Sequence, residues 1–560
     1  MAMVFMICLS AASVYAEPSD IKGHWASEEI NRWIDRGVLV GSYGKIAPDE
    51  LISRAGFVSL ISRIVGYGER PGAVFSDVKD GEWYAKDIYK AAGAGILVGY
   101  DGKIRPEDPV SRQEAAVILT KVFGIAVKDK HAADKFSDAA AIPSWSRDAI
   151  CAMVENGFAS AKSGNAFAPA DRMTRAETVK MIDSTVSDLK NKPGTYTGEV
   201  DGNLVVNSDG ITLDSMTVSG NLYLTEGIGN GSVTLKNVTV KGMTIVSGGG
   251  EHSITVSNSS LNGRLIVIKT DGKVRIVAEG KTAIPDVQMR SGGILEENDL
   301  TGSGFGGIQV AEVIEAGQEI RLDGNFDDVS VEAPGTGIRL ESGSVKSLKL
   351  NESAAGAVVS IAGGAVLDTL TLDAAAIVKG EGKIGTANIN ANGVTMEQKP
   401  GVVNKKEGIT LPSNLEAAAG APAVGGVPGG GGPPIGGGAD LKIRSAYADV
   451  GSSQVSASEQ GGGWVVSLAG MNASSMVTDL HISVSDDVKE AEVSYLFFSE
   501  NVHFSNNAAT INIHSMLGEE DNGAPGVSVQ SVRDYGGATF SVVLKGSDGS
   551  TKSVSITVSP

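Results

Sequence analysis

Cysteine is nearly missing from this chain: only Cys8 and Cys151 occur in 560 residues. With Cys8 inside a segment expected to be removed, the mature chain would keep one thiol, which excludes an intrachain disulfide framework. Cys151 falls in Ala149-Ile-Cys-Ala-Met-Val154, a helical pattern in which a lone cysteine serves as a small buried apolar residue. Aromatic residues are scarce at 5%, whereas glycine is abundant at 73 residues. That balance suits turns and β-repeats better than a compact enzyme of buried aromatics. Lysine and arginine (47) are outnumbered by aspartate and glutamate (66), for a net charge of −19. Nucleic acid and anionic membrane surfaces are thereby excluded as main partners, and any anionic ligand must be met by a local cluster of cations. No run of about 18 apolar residues occurs, so no membrane span is expected. Residues 1–16 are apolar and end in Val14-Tyr15-Ala16, the small-x-small pattern of a cleavable signal peptide, though without its usual basic start. Cys8 is not preceded by the small residues that lipid attachment needs. Export is the expectation, and a chain of this length is too long for one core.

What is present is repetition. Three times in the first 190 residues a tryptophan stands about 29 or 30 residues ahead of the arginine of a Ser/Thr-Arg pair: Trp25 with Ser53-Arg54, Trp83 with Ser111-Arg112, and Trp145 with Thr174-Arg175. An internal repeat of this length means one small unit used three times, each too small to bury a core alone. Each unit opens with an acidic lead-in loop (Asp20, Asp77, Asp138) and runs into an amphipathic helix, with Ala85, Ile88, Ala91 and Ala92 at helical spacing in the second. Gly37, Gly95 and Gly157 end these helices, and a glycine-rich turn leads to Pro48, Pro106 or Pro169. The second helix begins at the Ser/Thr-Arg pair. Ser111-Arg-Gln-Glu114 and Thr174-Arg-Ala-Glu177 read as capping boxes, which accounts for the hydroxyl and the glutamate. It does not account for arginine at the first helical position, where a cation faces the positive end of the helix dipole. Three such arginines point to a shared anionic ligand, with solvated surface arginines or ion pairs to a neighbouring unit as the alternative.

These residues resemble the S-layer homology (SLH) family. The hallmarks present are Phe75-Ser-Asp77, Gly95-Ile-Leu-Val-Gly99 and Val110-Ser-Arg-Gln-Glu114 in unit two; Gly37-Val-Leu-Val-Gly41 and Ile52-Ser-Arg-Ala55 in unit one; and Met173-Thr-Arg-Ala-Glu177 in unit three. The resemblance implies three units packed as a pseudo-threefold helical bundle. It also implies grooves between units that bind an anionic secondary cell-wall polymer, often a pyruvylated amino sugar, with arginine on its carboxylate. The site residues it carries over are Trp25, Gly41, Ser53, Arg54, Asp77, Trp83, Gly99, Ser111, Arg112, Asp138, Trp145, Thr174 and Arg175. The tryptophans suit either lining the grooves or packing between units. Unit one has Gly56 where the box needs Glu, and unit three reads Gly157-Phe-Ala-Ser-Ala161, losing the second turn glycine. By fewest departures, Arg112's groove is expected to be the most competent.

From about residue 195 short strands split by Gly, Asn, Ser and Asp take over. Aligning Ile211-Thr-Leu213, Val233-Thr-Leu235, Ile254-Thr-Val256 and Val274-Arg-Ile276 gives a step of about 20–22 residues, with Gly220, Gly242 and Gly263 in register. Alternating residues stacked rung on rung predict a right-handed parallel β-helix over 195–412, with an irregular stretch near 280–320. On this alignment the outward positions read Thr212/Thr234/Thr255/Arg275 and Asp214/Lys236/Ser257/Val277, without a recurring acid. Glu296-Glu-Asn-Asp299 and Asn325-Phe-Asp-Asp328 read as solvated turns and His252 as a turn residue. No catalytic constellation emerges.

Residues 413–441 are a Gly/Pro-rich linker. After it, segments such as Gly462-Gly-Trp-Val-Val-Ser-Leu468 read as strands, Ser553-Val-Ser-Ile-Thr-Val558 alternates with period two, and together they predict a β-sandwich over 442–560. His503 and His514 share this module without a third ligand, so no metal is expected. The organisation expected is thus a signal peptide (1–16), three SLH units (17–70, 71–130, 131–192), the β-helix, the linker and the sandwich. The function expected is that of an exported, non-enzymatic surface protein of the cell wall or S-layer, without cofactor. Its partners would be the wall glycan and neighbouring surface-layer proteins. The alternative is a wall-anchored polysaccharide lyase or hydrolase with its site on the β-helix.

Overall fold

A computed structural model describes residues 18–415, apart from 43, 70–74, 98, 100–101, 252–253 and 270–272, together with the strands of 443–559. Residues 1–17, residues 416–442 with most of the expected linker, His252 and His514 lie outside the described residues, whereas Leu415, expected in the linker, is buried in the solenoid core.

The N-terminal third holds six α-helices: α1 (Ser27–Asp35), α2 (Arg54–Val65), α3 (Ala85–Gly93), α4 (Arg112–Phe123), α5 (Ser144–Glu155) and α6 (Arg175–Thr185). Their starts follow the local chemistry. Ser111 and Thr174 form complete capping boxes with Glu114 and Glu177, whereas Ser53 accepts only from the Gly56 amide. Gly37, Gly95 and Gly157 stand at positive φ just past the first helix of each unit. In α3 the four residues expected on one face are the buried ones, and Cys151 of α5 is fully buried.

Helices pair across units rather than within them: α2 with α3, α4 with α5, and α6 back onto α1. The last pairing closes a ring. It is fixed by Asp183 of α6, which accepts from Arg32 Nη2 at 2.6 Å and from the Trp33 indole at 3.0 Å, and by Lys180 on Glu29 at 2.6 Å. At the ring's axis three residues exchange backbone hydrogen bonds in a cycle. Ile52 donates to Met173 (3.0 Å), Met173 to Val110 (2.9 Å) and Val110 to Ile52 (3.0 Å). All three side chains are buried.

The parallel β-solenoid follows, of about 9 turns. Its inward residues, Leu204, Leu222, Leu265, Val287 and Ile308 among them, form one continuous apolar core. Gly220, Gly242 and Gly263 stack at a corner as the sequence spacing implied. A Cβ on Gly242 would lie 2.5 Å from the Gly220 carbonyl oxygen, and one on Gly263 would lie 2.3 Å from that of Gly242. Only glycine permits so close a backbone approach.

Three expectations differ from the structure. The strand at Val274–Gly280 pairs Ile276 with Ile254 and Val277 with Thr255, two residues on from the alignment above. The outward columns therefore read Thr212/Thr234/Thr255/Val277 and Asp214/Lys236/Ser257/Glu279. A slip of two keeps every residue on its face, so alternation alone does not reject it. Nor is the 280–320 stretch irregular: Ala283–Met289, Gly293–Leu300 and Gly304–Val310 continue the parallel ladder before a turn leads to Glu319–Val331. The acidic segments at 296–299 and 325–328 lie largely on these strands, with Phe326 in the core, and are not solvated turns.

The ring is seated on the first solenoid turns by the C-terminal ends of α2, α4 and α6. Asn207 Nδ2 donates to the Arg63 and Ile64 carbonyls, both at 2.8 Å. The Tyr223 hydroxyl donates to Phe123 O at 2.9 Å, and Asn203 Nδ2 to Thr185 O at 2.8 Å. One outward column explains the seat. Its residues pair in the order Leu189, Val205, Tyr223, Ile245, Ile266, Gln288, Gln309. The first three are buried in the helical core, Ile245 packs against it, and the column turns polar from Gln288 onward.

Two sheets make up the C-terminal module. One runs Ser453–Ser456, Ile443–Val450, Met476–Val484, Ala508–Asn512, with Val527–Ser528 also on Met476–Val484. The other runs Ser458–Gln460, Gly463–Ser467, Thr551–Ser559, Ala538–Gly546, Val488–Tyr495, Phe498–His503. Both contribute buried residues, such as Leu480 and Ile482 from the first and Val466, Leu544 and Ile556 from the second.

Candidate functional site

The three Ser/Thr-Arg pairs sit where each unit meets the next, and their local setting repeats around the ring. Arg54 Nε donates to Ile104 O of unit two at 2.9 Å. Arg112 Nε donates to Phe167 O of unit three at 2.8 Å and its Nη2 to Ser160 O at 2.9 Å. Arg175 Nε donates to Ile46 O of unit one at 2.6 Å and its Nη2 to Val40 O at 3.1 Å. Arg54 and Arg112 are buried and Arg175 is half-buried. The arginine that the capping argument could not place is thus a clamp on the next unit's turn.

The helix N-termini are met by backbone as well. The Arg54, Arg112 and Arg175 amides donate to the carbonyls of Asp108, Asp171 and Glu50 at 2.8–3.0 Å. One residue on, Ala55, Gln113 and Ala176 donate to Pro106, Pro169 and Pro48. The positive ends of these helices are therefore occupied by carbonyl dipoles of the neighbouring unit.

Each clamped turn is gripped from its own unit too. Asp77 accepts from the Ile104 and Arg105 amides at 3.0 and 2.7 Å, and Asp138 from those of Phe167 and Ala168, both at 2.7 Å. Asp20, in the same role, accepts from Ile46 and Ala47. Ala47, Arg105 and Ala168 all carry positive φ (55°, 51° and 58°) directly before a proline, a conformation that needs such outside support. Asp20 was visible as a lead-in acid, yet its clamp role had no marker beyond its repetition.

The turn glycines belong to the same assembly. A Cβ at Gly41 would lie 2.3 Å from Lys45 O, and one at Gly99 2.8 Å from Lys103 O and 2.5 Å from the Phe75 ring. In unit three the loop is one residue longer, and Lys162 N donates to Ala166 O at 2.8 Å, which accommodates Ala161. The structure thus brings together Arg54 with Asp77 and Gly99, Arg112 with Asp138, and Arg175 with Asp20 and Gly41. The tryptophans behave unequally. Trp25 and Trp83 are each 62% exposed, and their ring contacts are with the adjacent His24 and Tyr84. Trp145 is half-buried at the start of α5.

Electrostatics follow burial. Desolvation pushes the Arg54 guanidinium down to about 10, opposed by Glu114, so it stays charged at neutral pH. Desolvation also lowers Arg112, opposed by Glu177, and Arg175, opposed by Glu50. On Asp20 desolvation acts upward, but the Ala47 and Ile46 amides outweigh it and hold the carboxyl below its usual range.

On the solenoid exterior, Arg275 pairs with Glu296, Lys273 and Arg321 with Glu319, and Arg339 with Glu341. Each of these carboxylates is neutralised by a cation, and Glu319 is held low: desolvation works against that, and the bond from Arg321 prevails. Elsewhere on the solenoid burial raises the Glu297 and Glu332 carboxyls, the direction a general acid would need. Among the described residues no group of His, Cys, Asp and Glu is placed to hold a metal ion, and no helix is long and apolar enough to cross a membrane.

The S-layer homology domain family matches residues 19–57, 74–116 and 135–179. Relatives include the amylopullulanase of Thermoanaerobacterium thermosulfurigenes, 32% identical over 29% of this chain and 9% of that protein. The S-layer protein of Bacillus licheniformis is 28% identical over 47% of this chain and 28% of its own length. The chain therefore spans less than a third of either relative. Among solved structures, chitinase ChiW from Paenibacillus sp. str. FPU-7 aligns over 55% of this chain and 24% of its own, at 22% identity and a TM-score of 0.27. The clamped units of the ring are three tandem S-layer homology domains.

Proposed function

We propose that this chain is a cell-surface protein held non-covalently at the wall by its SLH ring, which binds an anionic, pyruvylated secondary wall polysaccharide. The solenoid and the C-terminal module are then displayed outward as structural or binding modules. The observation that carries the reading is a closed ring of three SLH domains that leaves Trp25 and Trp83 exposed at equivalent positions. An exposed indole on a rigid ring offers a flat apolar surface to a sugar, and such surfaces mark interaction sites. Ser53, Ser111 and Thr174, with their arginines and Asp77 and Asp138, would shape the grooves beside them. S-layer proteins of Bacillus among the relatives agree with a place at the cell surface. The glycoside hydrolases among them match over 17–29% of this chain, which favours a shared anchor over a shared activity.

The test is co-sedimentation of the full chain with purified cell walls. Wild type should pellet with the walls, and the Trp25→Ala/Trp83→Ala double variant should lose most of that retention. Its thermal unfolding should hardly move, because exposed side chains contribute only about 0.5 kcal/mol each. Equal retention of wild type and double variant would remove the tryptophans from the site.

A further inference from the structure

The outward column that seats the ring runs on far beyond it, and there its chemistry changes. From Gln309 the pairing continues as Ser330, Lys349, Thr371, Asn388 and Asn404. Two residues further along their rungs stand Glu332, Asn351, Asp373 and Asn390, whose amides donate to the carbonyls of Val310, Val331, Leu350 and Leu372, all at 2.9 Å. Two residues before the first column come Ser347, Thr369 and Thr386, paired in the same order. The residues between, such as Leu348, Leu350, Leu370 and Leu372, fill the core, so the three polar columns lie side by side outside it.

These side chains are tied to one another. Asn404 Nδ2 donates to Asn388 Oδ1 at 2.9 Å, and Asn388 Nδ2 to Thr371 Oγ1 at 3.2 Å. Beside them Asn390 Nδ2 donates to Asp373 Oδ1 at 2.7 Å, and Asn351 Nδ2 to Ser330 Oγ at 3.0 Å. Lys349 Nζ lies 3.2 Å from Asp373 Oδ2, so the two charges at the centre offset each other. Asn404 and Lys349 are exposed, and the other side chains of these contacts are half-buried. A carboxamide has two N–H donors and an oxygen with two lone pairs, and the ladder uses only part of that capacity. The remainder is held in fixed positions, one set per rung at a spacing of about 4.8 Å.

We propose that this face of the solenoid, over the rungs from Gln309 to Asn404, binds a neutral β-1,4-linked polysaccharide whose chain lies along the solenoid axis. Three properties select that ligand. The amides and hydroxyls are uncharged and the central ion pair is internally balanced, which suits sugar hydroxyls and favours neither a polyanion nor a polycation. An extended β-1,4-linked chain repeats at close to the rung spacing, so successive sugars meet successive rungs. The ladder also orders the amides before any ligand arrives, which lowers the entropy lost on binding. The neighbouring outer face differs, because Arg275 with Glu296 and Arg321 with Glu341 line it with ion pairs. The three columns contain no aromatic residue, so binding rests on hydrogen bonds spread along the chain and grows with ligand length. The inference is independent of the wall-binding reading of the ring, which concerns an anionic polymer.

The experiment is calorimetric titration of the full chain with cellohexaose and chitohexaose, with maltohexaose as the α-linked control. At least one β-linked hexamer should bind, its trimer about tenfold more weakly because fewer rungs are met. Maltohexaose, which curls, should not bind. Asn388→Ala should weaken the hexamer about fivefold, the effect of one lost hydrogen bond. Asn404→Ala, at an exposed site on the last rung, provides a second variant with little effect on folding, and it too should weaken binding. Thr234→Ala, outward on an early rung away from this face, should leave binding as it is. Raised salt should change the affinity little, since no net charge is engaged. Failure of both β-linked hexamers to bind overturns the proposal, as does equal binding of maltohexaose or unchanged binding in both asparagine variants. A chain that sediments with cell walls yet ignores both hexamers keeps the reading of the ring and overturns this one alone.

Discussion

At the scale of single residues, the arginines of the Ser/Thr-Arg pairs do structural work whatever ligand they meet. Arg54 is buried, with Nε on Ile104 O and Nη1 near Glu114. Replacing it with methionine keeps much of the packing but leaves the buried Ile104 carbonyl without its donor and Glu114 with Arg172 as its remaining cation. We expect Arg54→Met to destabilise the ring by about 2–4 kcal/mol, measured by chemical denaturation followed through the ring's tryptophans. Arg175→Met, at a half-buried site without a paired carboxylate, should cost less. Asp20 gives the pH counterpart. Its carboxyl is held below its ordinary value, so its contribution is present at neutral pH and is lost as pH falls through the folded value, below about 4. Hydrogen exchange at the Ile46 and Ala47 amides should accelerate in that window, beyond the intrinsic pH trend. In Asp20→Asn the extra acceleration should be missing.

At the scale of elements, the strongest constraint is the approach of backbones at the solenoid corner. Gly242→Ala places a methyl 2.5 Å from the Gly220 carbonyl oxygen, and that oxygen is rigid backbone already bonded to the Gly242 amide. A loss of about 2–4 kcal/mol in solenoid stability is expected by calorimetry, against well under 1 for Gly307→Ala, where a new methyl meets nothing. The helices show how far local chemistry reaches. Caps, C′ glycines and the buried face of α3 were all legible, because each depends on residues within one turn of one another. The pairing of α6 onto α1 was not, because Asp183 and Trp33 are 150 residues apart and neither has a motif.

At the scale of the whole molecule, the ring and solenoid share a core through Leu189, Val205 and Tyr223. Tyr223 is fully buried, its ring 5.2 Å edge-on from Phe123 and its hydroxyl on Phe123 O. Burial also pushes its phenol up to about 12. Tyr223→Ala should cost about 3–5 kcal/mol at this seam, and hydrogen exchange should rise at the C-terminal ends of α2 and α4 while the Ile52–Val110–Met173 cycle stays protected. Such a seam makes the ring and the first solenoid turns one mechanical piece.

Repetition, helix caps and the two-residue alternation of the strands are written in neighbouring residues, and these features of the fold could be read directly. Three things could not. The arginines' partners are carbonyl oxygens, which every residue carries and no residue type announces. The solenoid register at Val274–Gly280 differs from a plausible alternative by two residues, a slip that leaves inside and outside unchanged. And the charge of each groove depends on which glutamate closes on which arginine, a matter of ring closure between units. Motif completeness therefore ranked Arg112 first, whereas three-dimensional pairing puts a carboxylate, that of Glu114, within 4 Å of Arg54 and none that close to Arg112 or Arg175 among the described residues.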